Sequence, residues 1–395
     1  LQLLKTLFRV CEILPNDYDV SQASTVKFTT VTSLSGPSVA DSLAESENTS
    51  FQPQIVWLRC VCLSVVVILV VGGITRLTGS GLSMVDWRPI AGILPPITEN
   101  QWNEVFQMYQ TSPEYQKVNK GMSLSDFKFI FFWEYLHRIL GRIVGLLCLI
   151  PYVYFLVRGK LSPRMKAFGL TLIALVIVQG LMGWYMVKSG LVNNPEVSHY
   201  RLAAHLSLAF SVFGLAWWMM LSLRMGTPPA RNPRARWVRP WVLGFLGLLC
   251  AQIAYGAFVS GMKAGYGYNT FPMMGDEWKP DALFGLTPYW KNFFEDKFSV
   301  QFIHRWMGTA LTAGLLLLGW RAFKSGVLSK IQKVRMKWVL GLVGFQFLLG
   351  VSTILLILEY QVSLPVIHQL VALFLFAALL GLVHSLSGNP DRESD

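Results

Sequence analysis

Eight apolar runs divide the chain, at roughly 55–75, 129–157, 167–187, 202–223, 238–261, 299–320, 338–358 and 365–386. Each is about the 20 residues that a helix needs to cross the hydrocarbon of a bilayer. The pattern predicts an all-α integral membrane protein with eight transmembrane helices. Residues 1–54 differ from the rest, being rich in Ser and Thr with no run long enough to span. Lys5, Arg9 and Lys27 there suit an organelle transit peptide, whereas Glu12, Asp17, Asp19, Asp41, Glu45 and Glu47 do not. This stretch is read as a weakly ordered tail with targeting remnant only near its start. The chain opens on Leu1 rather than Met, which is read as a fragment or a processed form.

The loops then set the orientation. An even number of spans places both termini on one side. The loops of that side hold Arg158, Lys160, Arg164 and Lys166, then Arg224, Arg231, Arg234, Arg236 and Arg239, then Arg321, Lys324, Lys330, Lys333, Arg335 and Lys337. No acidic residue interrupts them. The opposite loops are longer and mix bases with Asp86, Glu99, Glu104, Glu114, Asp126, Asp276, Glu277, Asp281, Glu295 and Asp296. Basic loops stay on the cytoplasmic side, so both termini face the cytoplasm or, in a mitochondrion, the matrix.

The second half of the chain echoes the first. Phe132 to Gly141 (FWEYLHRILG) matches Ser299 to Gly308 (SVQFIHRWMG), and Gln179 to Gly183 (QGLMG) matches Gln346 to Gly350 (QFLLG) in the same register. His205, early in the fourth run, corresponds to His368, early in the eighth. Gly72 to Gly81 (GGITRLTGSG) loosely echoes Gly256 to Gly265 (GAFVSGMKAG). The reading is two tandem four-helix bundles, at 55–223 and 238–386, joined by a basic loop at 224–237 and followed by a tail at 387–395. Each repeat has an even number of spans, so the repeats are parallel, related by an axis along the membrane normal.

Composition narrows the function. Charged residues make up 14% of the chain and hydrophobic residues 53%, against roughly 25% charge in a soluble domain. The net charge of +12 lies in short loops between apolar runs, so nucleic acid is excluded as a partner. The five cysteines, Cys11, Cys60, Cys62, Cys148 and Cys250, form no CxxC and no CxxCH. That argues against a zinc site, a thioredoxin-type centre and covalent haem attachment. Cys60 and Cys62 read as small buried hydrophobes.

Four of the six histidines fall into the repeat: His137, His205, His304 and His368. Each lies near the outer end of its helix, and each half presents two, on its second and fourth helices. Facing helices in a bundle lie about 8–10 Å apart, and a slightly wider gap lets two imidazoles ligate one haem iron from opposite faces. Gly141, Gly145 and Gly308 would leave room for a porphyrin. A lone intramembrane histidine more often bonds across helices; four, paired and matched in depth, point to haem. His384 is read as peripheral and His199 as a loop residue.

Haem propionates need cations. Arg201 lies one turn before His205, Arg138 and Arg305 follow the second-helix histidines, Arg76 ends the first helix and Lys263 ends its counterpart. Snorkelling at the interface is the plain alternative for Arg76 and Lys263. Glu134 lies three residues before His137, on the same helical face, where the second half carries Gln301. A carboxylate at that depth costs roughly 2.5–3.5 kcal/mol on insertion scales. The difference suggests that one half performs chemistry while the other holds a cofactor; a structural pair with Arg138 or Arg142 is the rival.

These residues resemble the haem A synthase family, in its mitochondrial form. The resemblance rests on Gly72 to Trp87 (GGITRLTGSGLSMVDW), Glu134 to Arg138 (EYLHR), Gln179 to Leu191 (QGLMGWYMVKSGL), Tyr200 to His205 (YRLAAH) and Tyr268 to Pro272 (YNTFP), and it covers nearly all of 55–386. It implies oxidation of a ring methyl of haem O to a formyl group by successive hydroxylations, giving haem A for cytochrome c oxidase. By motif, His304 and His368 would ligate a resident haem b, with its iron. His137 and His205 would face the substrate haem O, with Glu134 as the catalytic acid, accepting a proton or stabilising a cationic methylene before water adds.

The resemblance also implies the mitochondrial inner membrane, with both termini in the matrix, the histidines toward the intermembrane space and a ferredoxin-type electron donor. Bacterial relatives often carry a cysteine pair in outer loops; this chain has none there, so a disulfide role does not carry over. The loops at 82–128 and 266–298 are too long for simple connectors and would cover the haem edges or dock a haem O synthase. Homo-oligomerisation is left open. The rival functions are a bis-histidine cytochrome b that only carries electrons, and a transporter.

Overall fold

The computed structural model describes residues 52–85, 94–190, 197–225 and 235–387. Nearly all of the 1–54 tail, most of the basic 224–237 loop and all but the first residue of the 387–395 tail lie outside the described residues, as do Asp86, Trp87, Arg231 and Arg234. Among the described residues the chain is helical: α1 (Gln52–Leu77), α2 (Glu99–Gln110), α3 (Pro113–Lys117), α4 (Leu124–Val157), α5 (Pro163–Gly190), α6 (His199–Met225), α7 (Val238–Gly261), α8 (Lys297–Lys324), α9 (Lys330–Leu355) and α10 (Ser363–Ser385).

Seven of these helices are long and apolar enough to cross a membrane: α1, α4, α5, α6, α7, α9 and α10. The apolar runs predict eight. α8 equals them in length, with 28 residues, but it carries Lys297, Gln301, His304 and Arg305 in its first third and Arg321 and Lys324 in its last turn. Those residues dilute its apolarity below that of its neighbours.

Helix ends extend beyond the apolar runs because capping residues are polar. α9 starts at Lys330, eight residues before the run expected from 338, where Ser329 Oγ accepts the Gln332 N–H at 3.4 Å and Gln332 Oε1 accepts the Ser329 N–H at 3.0 Å. That reciprocal arrangement satisfies two N–H groups which the first turn leaves without helical partners. His199, expected in a loop, is the first residue of α6; its ring packs on Tyr200 and Phe258.

α1 packs on α4 and α6, α4 on α5, and α5 on α6; α7 packs on α8 and α10, α8 on α9, and α9 on α10. α6 also meets α7 and α10, and α1 meets α10. The apolar part of α10 is 61% buried in the protein and that of α5 only 6%, so α10 runs through the interior and α5 along the edge. In lipid, helices associate through close packing rather than escape from water, and small residues permit that closeness. At Gly214 of α6 a Cβ would lie 2.9 Å from Phe376 Cε1 of α10. Leu58, Val61, Val65, Met219, Leu315 and Leu373 are among the residues closing the core.

The described parts of the loops at 82–128 and 266–298 are built structures. α2 and α3 fold onto the first turns of α4, burying Tyr109 against Phe127, Ile130 and Phe131, with Trp102 and Phe106 beside them. In the second loop Asn292 is fully buried and bridges Leu286 and Tyr289, accepting from Leu286 N (2.8 Å) and donating to Leu286 O (2.9 Å) and Tyr289 O (2.8 Å).

Candidate functional site

His137 is on α4 and His205 on α6; their ring centres are 6.5 Å apart. His304 is on α8 and His368 on α10, the same places in the second set of helices. Each ring rests on a glycine of a neighbouring helix. A Cβ added to Gly72 would lie 2.8 Å from His137 Cε1, and one at Gly183 would lie 3.3 Å from His205 Cε1. Gly256 relates to His304 at 3.2 Å and Gly350 to His368 at 2.9 Å in the same way. Only glycine gives an imidazole this bed without displacing it. Gly72 and Gly256 were visible in the sequence as a loose echo, and Gly183 and Gly350 as parts of a matched motif; their role as ring seats becomes visible only in three dimensions.

Three of the four rings also meet a glutamine, which sequence reasoning left without a task. Gln179 Nε2 is 3.3 Å from His205 Nε2. Gln252 Nε2 is 3.4 Å from His304 Nε2 and donates to the His304 carbonyl at 3.0 Å. Gln346 Nε2 stands 3.3 Å from His368 Nε2 and donates to the His368 carbonyl at 3.0 Å. Beside His137 the corresponding first-helix residue is Ile68, whose Cδ1 lies 3.7 Å from a Cβ placed on Gly141, as Gln252 lies 2.9 Å from one placed on Gly308.

The donor set fits haem. In all four rings Nδ1 is buried and has no hydrogen-bond partner, a costly arrangement for a polar atom in a dry interior. With a metal–nitrogen bond of about 2 Å on each side and each ring centre roughly 1 Å behind its nitrogen, trans imidazoles hold their centres about 6 Å apart. That matches the spacing of His137 and His205. Among the described residues no group of three or more His, Cys, Asp or Glu can hold a metal ion, so a two-ligand centre with a tetrapyrrole suits this chain better than a metal bound by side chains alone.

Glu134 and Gln301 both stitch an outer loop to their helix, with opposite polarity. Glu134 is buried, and its Oε2 accepts from Ser83 Oγ and from the Met84 N–H, each at 2.7 Å. Its Oε1 pairs with Arg138, which also donates to the Met84 carbonyl at 3.0 Å. The pair with Arg138 that sequence offered as a rival is therefore present. Gln301 instead donates to the Tyr268 carbonyl at 2.7 Å. A carboxylate only accepts and an amide can donate, so each loop turns the matching groups toward its helix.

Of the expected propionate cations, the arginines are engaged in this structure. Arg305 donates to the carbonyls of Thr270 (2.7 Å), Met273 (3.3 Å) and Tyr268 (2.6 Å). Arg201 bonds Ser189 Oγ and lies over the Tyr185 ring, 4.7 Å from its centre. Arg76 reaches from α1 to the Gly261 carbonyl at the end of α7, at 3.3 Å. Lys263 is exposed, with a left-handed backbone (φ 52°) just after α7. A guanidinium has five N–H donors, so these bonds do not exhaust the arginines. His384 lies apart from the pairs, buried beside Trp218 and 3.4 Å from Ser222 Oγ.

Above Glu134, Glu114 is buried under the aromatic cover, where Tyr109 Oη donates to it at 3.3 Å. Loss of water, and secondarily the charge of Glu134, push its carboxyl up to about 8. Burial pushes the Tyr109 phenol upward as well. The cysteines among the described residues, Cys60, Cys62, Cys148 and Cys250, lie within helices.

Comparison with known proteins closes the case. A family model described as "Cytochrome oxidase assembly protein" (COX15-CtaA) matches residues 55–380. Haem A synthase of Nitrosospira multiformis is 42% identical over 342 residues, 85% of this chain and 94% of that protein. Haem A synthase of Nitrosomonas eutropha is 39% identical over 361 residues, 89% of this chain and 99% of that protein. Haem A synthase of Rhodospirillum centenum is 40% identical, covering 84% of this chain and 87% of its own length. With its histidine pairs set in helices that the family match spans almost end to end, this chain belongs to the COX15-CtaA cytochrome oxidase assembly family.

Proposed function

We propose that the two histidine pairs divide one reaction between them. The chain is a haem A synthase, an oxidoreductase converting haem O to haem A. The observation that carries the division is the like seating of four histidines beside an unlike pair, Glu134 and Gln301. His304 and His368 hold a resident haem b, and His137 and His205 face haem O. Bound haem b supplies redox-active iron, which no side chain can replace in oxidising an unactivated methyl.

The chain's own groups do the remainder. Glu134, fixed in place by Ser83, Met84 and Arg138, is positioned to accept a proton or to stabilise positive charge developing on the substrate. Preorganised acceptors of this kind need no reorganisation during the reaction. The aromatic cover of α2 and α3 keeps water from that side. Arg76, Arg138, Arg201, Lys263 and Arg305 supply the positive field for propionates.

The proposal extends to architecture and place. α8 counts as the eighth span, since it packs on α7 and α9 as α4 packs on α1 and α5, and the chain forms two tandem parallel bundles. The basic inner loops support a topology with both termini inside and an acidic ferredoxin-type donor docking there. The named relatives are bacterial. We assign this chain to the mitochondrial inner membrane on its cysteine-free outer loops and the Ser/Thr-rich residues ahead of the family match.

The test is conversion of haem O by the purified protein and by Glu134→Gln. The proposal expects haem A from the wild type alone, with the resident haem b spectrum intact in both. Equal haem A formation by the variant would remove Glu134 from the chemistry.

A further inference from the structure

Where α7 begins and α8 ends, beside the basic loops, the two helices form an open cleft of about 560 Å³. It is lined by Trp237, Trp241, Trp320, Arg321, Lys324 and Ser325, all of them exposed, and it lies apart from both histidine pairs. Three tryptophans and two cations meet there, and no Asp or Glu occurs anywhere in 224–275 or 297–358.

The two cations are open to a ligand. Elsewhere beside the basic loops, Arg158 lies over Tyr154 (5.7 Å) and Arg164 over Phe168 (5.3 Å), while Arg335 is buried and donates to the Gly381 carbonyl. Among the described residues no hydrogen bond, ion pair or ring contact engages the Arg321 guanidinium. Lys324 Nζ stands 5.2 Å from the Trp320 ring centre, a contact that holds the ammonium at the rim and uses none of its three N–H donors. α7 starts at Val238 without a side-chain cap, so the positive end of its dipole lies beside Trp237 and Trp241.

A guanidinium, an ammonium and a helix N-terminus around one space suit a phosphate. Indole rings suit the boundary between lipid headgroups and chains. An apolar lane leads from the cleft toward the hydrocarbon. Gly244, one turn beyond Trp241, leaves open space where a Cβ would stand, and Leu316 and Leu317, one turn before Trp320, are exposed. A free phosphate would use the cations alone; a lipid uses the cations, the indoles and the lane.

We propose that this cleft binds one acidic phospholipid of the surrounding bilayer, with its phosphate between Arg321 and Lys324 and an acyl chain along Gly244, Leu316 and Leu317. Basic pockets between transmembrane helices hold acidic headgroups in this way. The inference rests on α8 crossing the bilayer beside α7, as proposed above, and is independent of the haem assignment.

Native mass spectrometry of the detergent-purified full chain, titrated with phosphatidylglycerol or phosphatidylcholine, tests the site. The wild type should hold one phosphatidylglycerol roughly tenfold more tightly than phosphatidylcholine. Arg321→Gln with Lys324→Gln should weaken phosphatidylglycerol about tenfold, and Trp241→Leu with Trp320→Leu should weaken it as well. Arg164→Gln with Lys166→Gln removes the same charge from another basic loop and should leave binding unchanged. Equal loss in the two charge variants, or no preference for phosphatidylglycerol, would overturn the proposal and leave an ordinary interfacial belt. Displacement of the lipid by inorganic phosphate would overturn it in favour of a small-anion site. Topology is read separately: Lys279→Cys and Lys330→Cys should label from opposite faces of sealed vesicles with an impermeant maleimide. Labelling from one face would remove the crossing of α8 and, with it, the ground for a lipid at this cleft.

Discussion

At the scale of single residues, the chemistry depends on what lies behind each histidine and beside Glu134. Glu134→Gln keeps the shape but presents an amide N–H to Ser83 and Met84 and removes the charge opposite Arg138. Loss of a positioned proton acceptor typically costs 10²–10⁴-fold, so haem A formation should fall at least about a hundredfold while haem b absorbance stays. Gly350→Ala tests the ring seats: a Cβ 2.9 Å from His368 Cε1 forces the ring aside, and haem b content per protein should drop sharply on a pyridine haemochrome assay. Unaltered content would mean that the seat is not needed. The histidines and Glu134 were legible in the sequence because the register shared by the two halves exposes both what repeats and what differs. The glutamines were less legible. Gln179 and Gln346 lie in that register, but Gln252 and Ile68 lie outside it, and only the helix crossing brings them to the rings.

Among the elements, the covers on the outer side were the least legible. Residues 82–128 hold no apolar run of spanning length, because α2 and α3 are too short and polar to cross a bilayer. Their signals are local: Thr98 and Gln101 form a capping box, and Ser112 caps a helix whose first residue is Pro113. The cover should respond to pH through Glu114. In the unfolded chain its carboxyl titrates near 4.5, and in the fold near 8, so the folded state binds more protons between these values. The contribution is full below about pH 4.5, is lost as pH rises, and levels off above about pH 8. Hydrogen exchange across 99–117 should therefore accelerate as pH rises from 5 to 8, beyond the intrinsic rate, and Glu114→Gln should flatten that trend. An identical pH trend in the variant would assign it to another group. The polarity of α8 has a related cause, since Gln301, His304 and Arg305 bond loop or ring partners and so cannot be the apolar residues that mark a span.

For the whole molecule, the central position of α10, packed on α1, α6, α7 and α9, ties the two sets of helices into one interior. Charge predicts the orientation, because basic loops alternate with mixed ones. Lys160→Cys, between α4 and α5, and Lys279→Cys, between α7 and α8, should label from opposite faces of sealed vesicles with an impermeant maleimide; labelling from the same face would contradict an odd number of spans between them. The division between a resident-cofactor half and a substrate half is the central claim, and one measurement addresses it most directly: a pyridine haemochrome spectrum with haem extraction, on purified wild-type protein and on His304→Ala. The account predicts haem b in the wild type with traces of haem O or A, and loss of the haem b alone in the variant. Folded wild-type protein free of haem, or a variant that keeps its haem b, would contradict it.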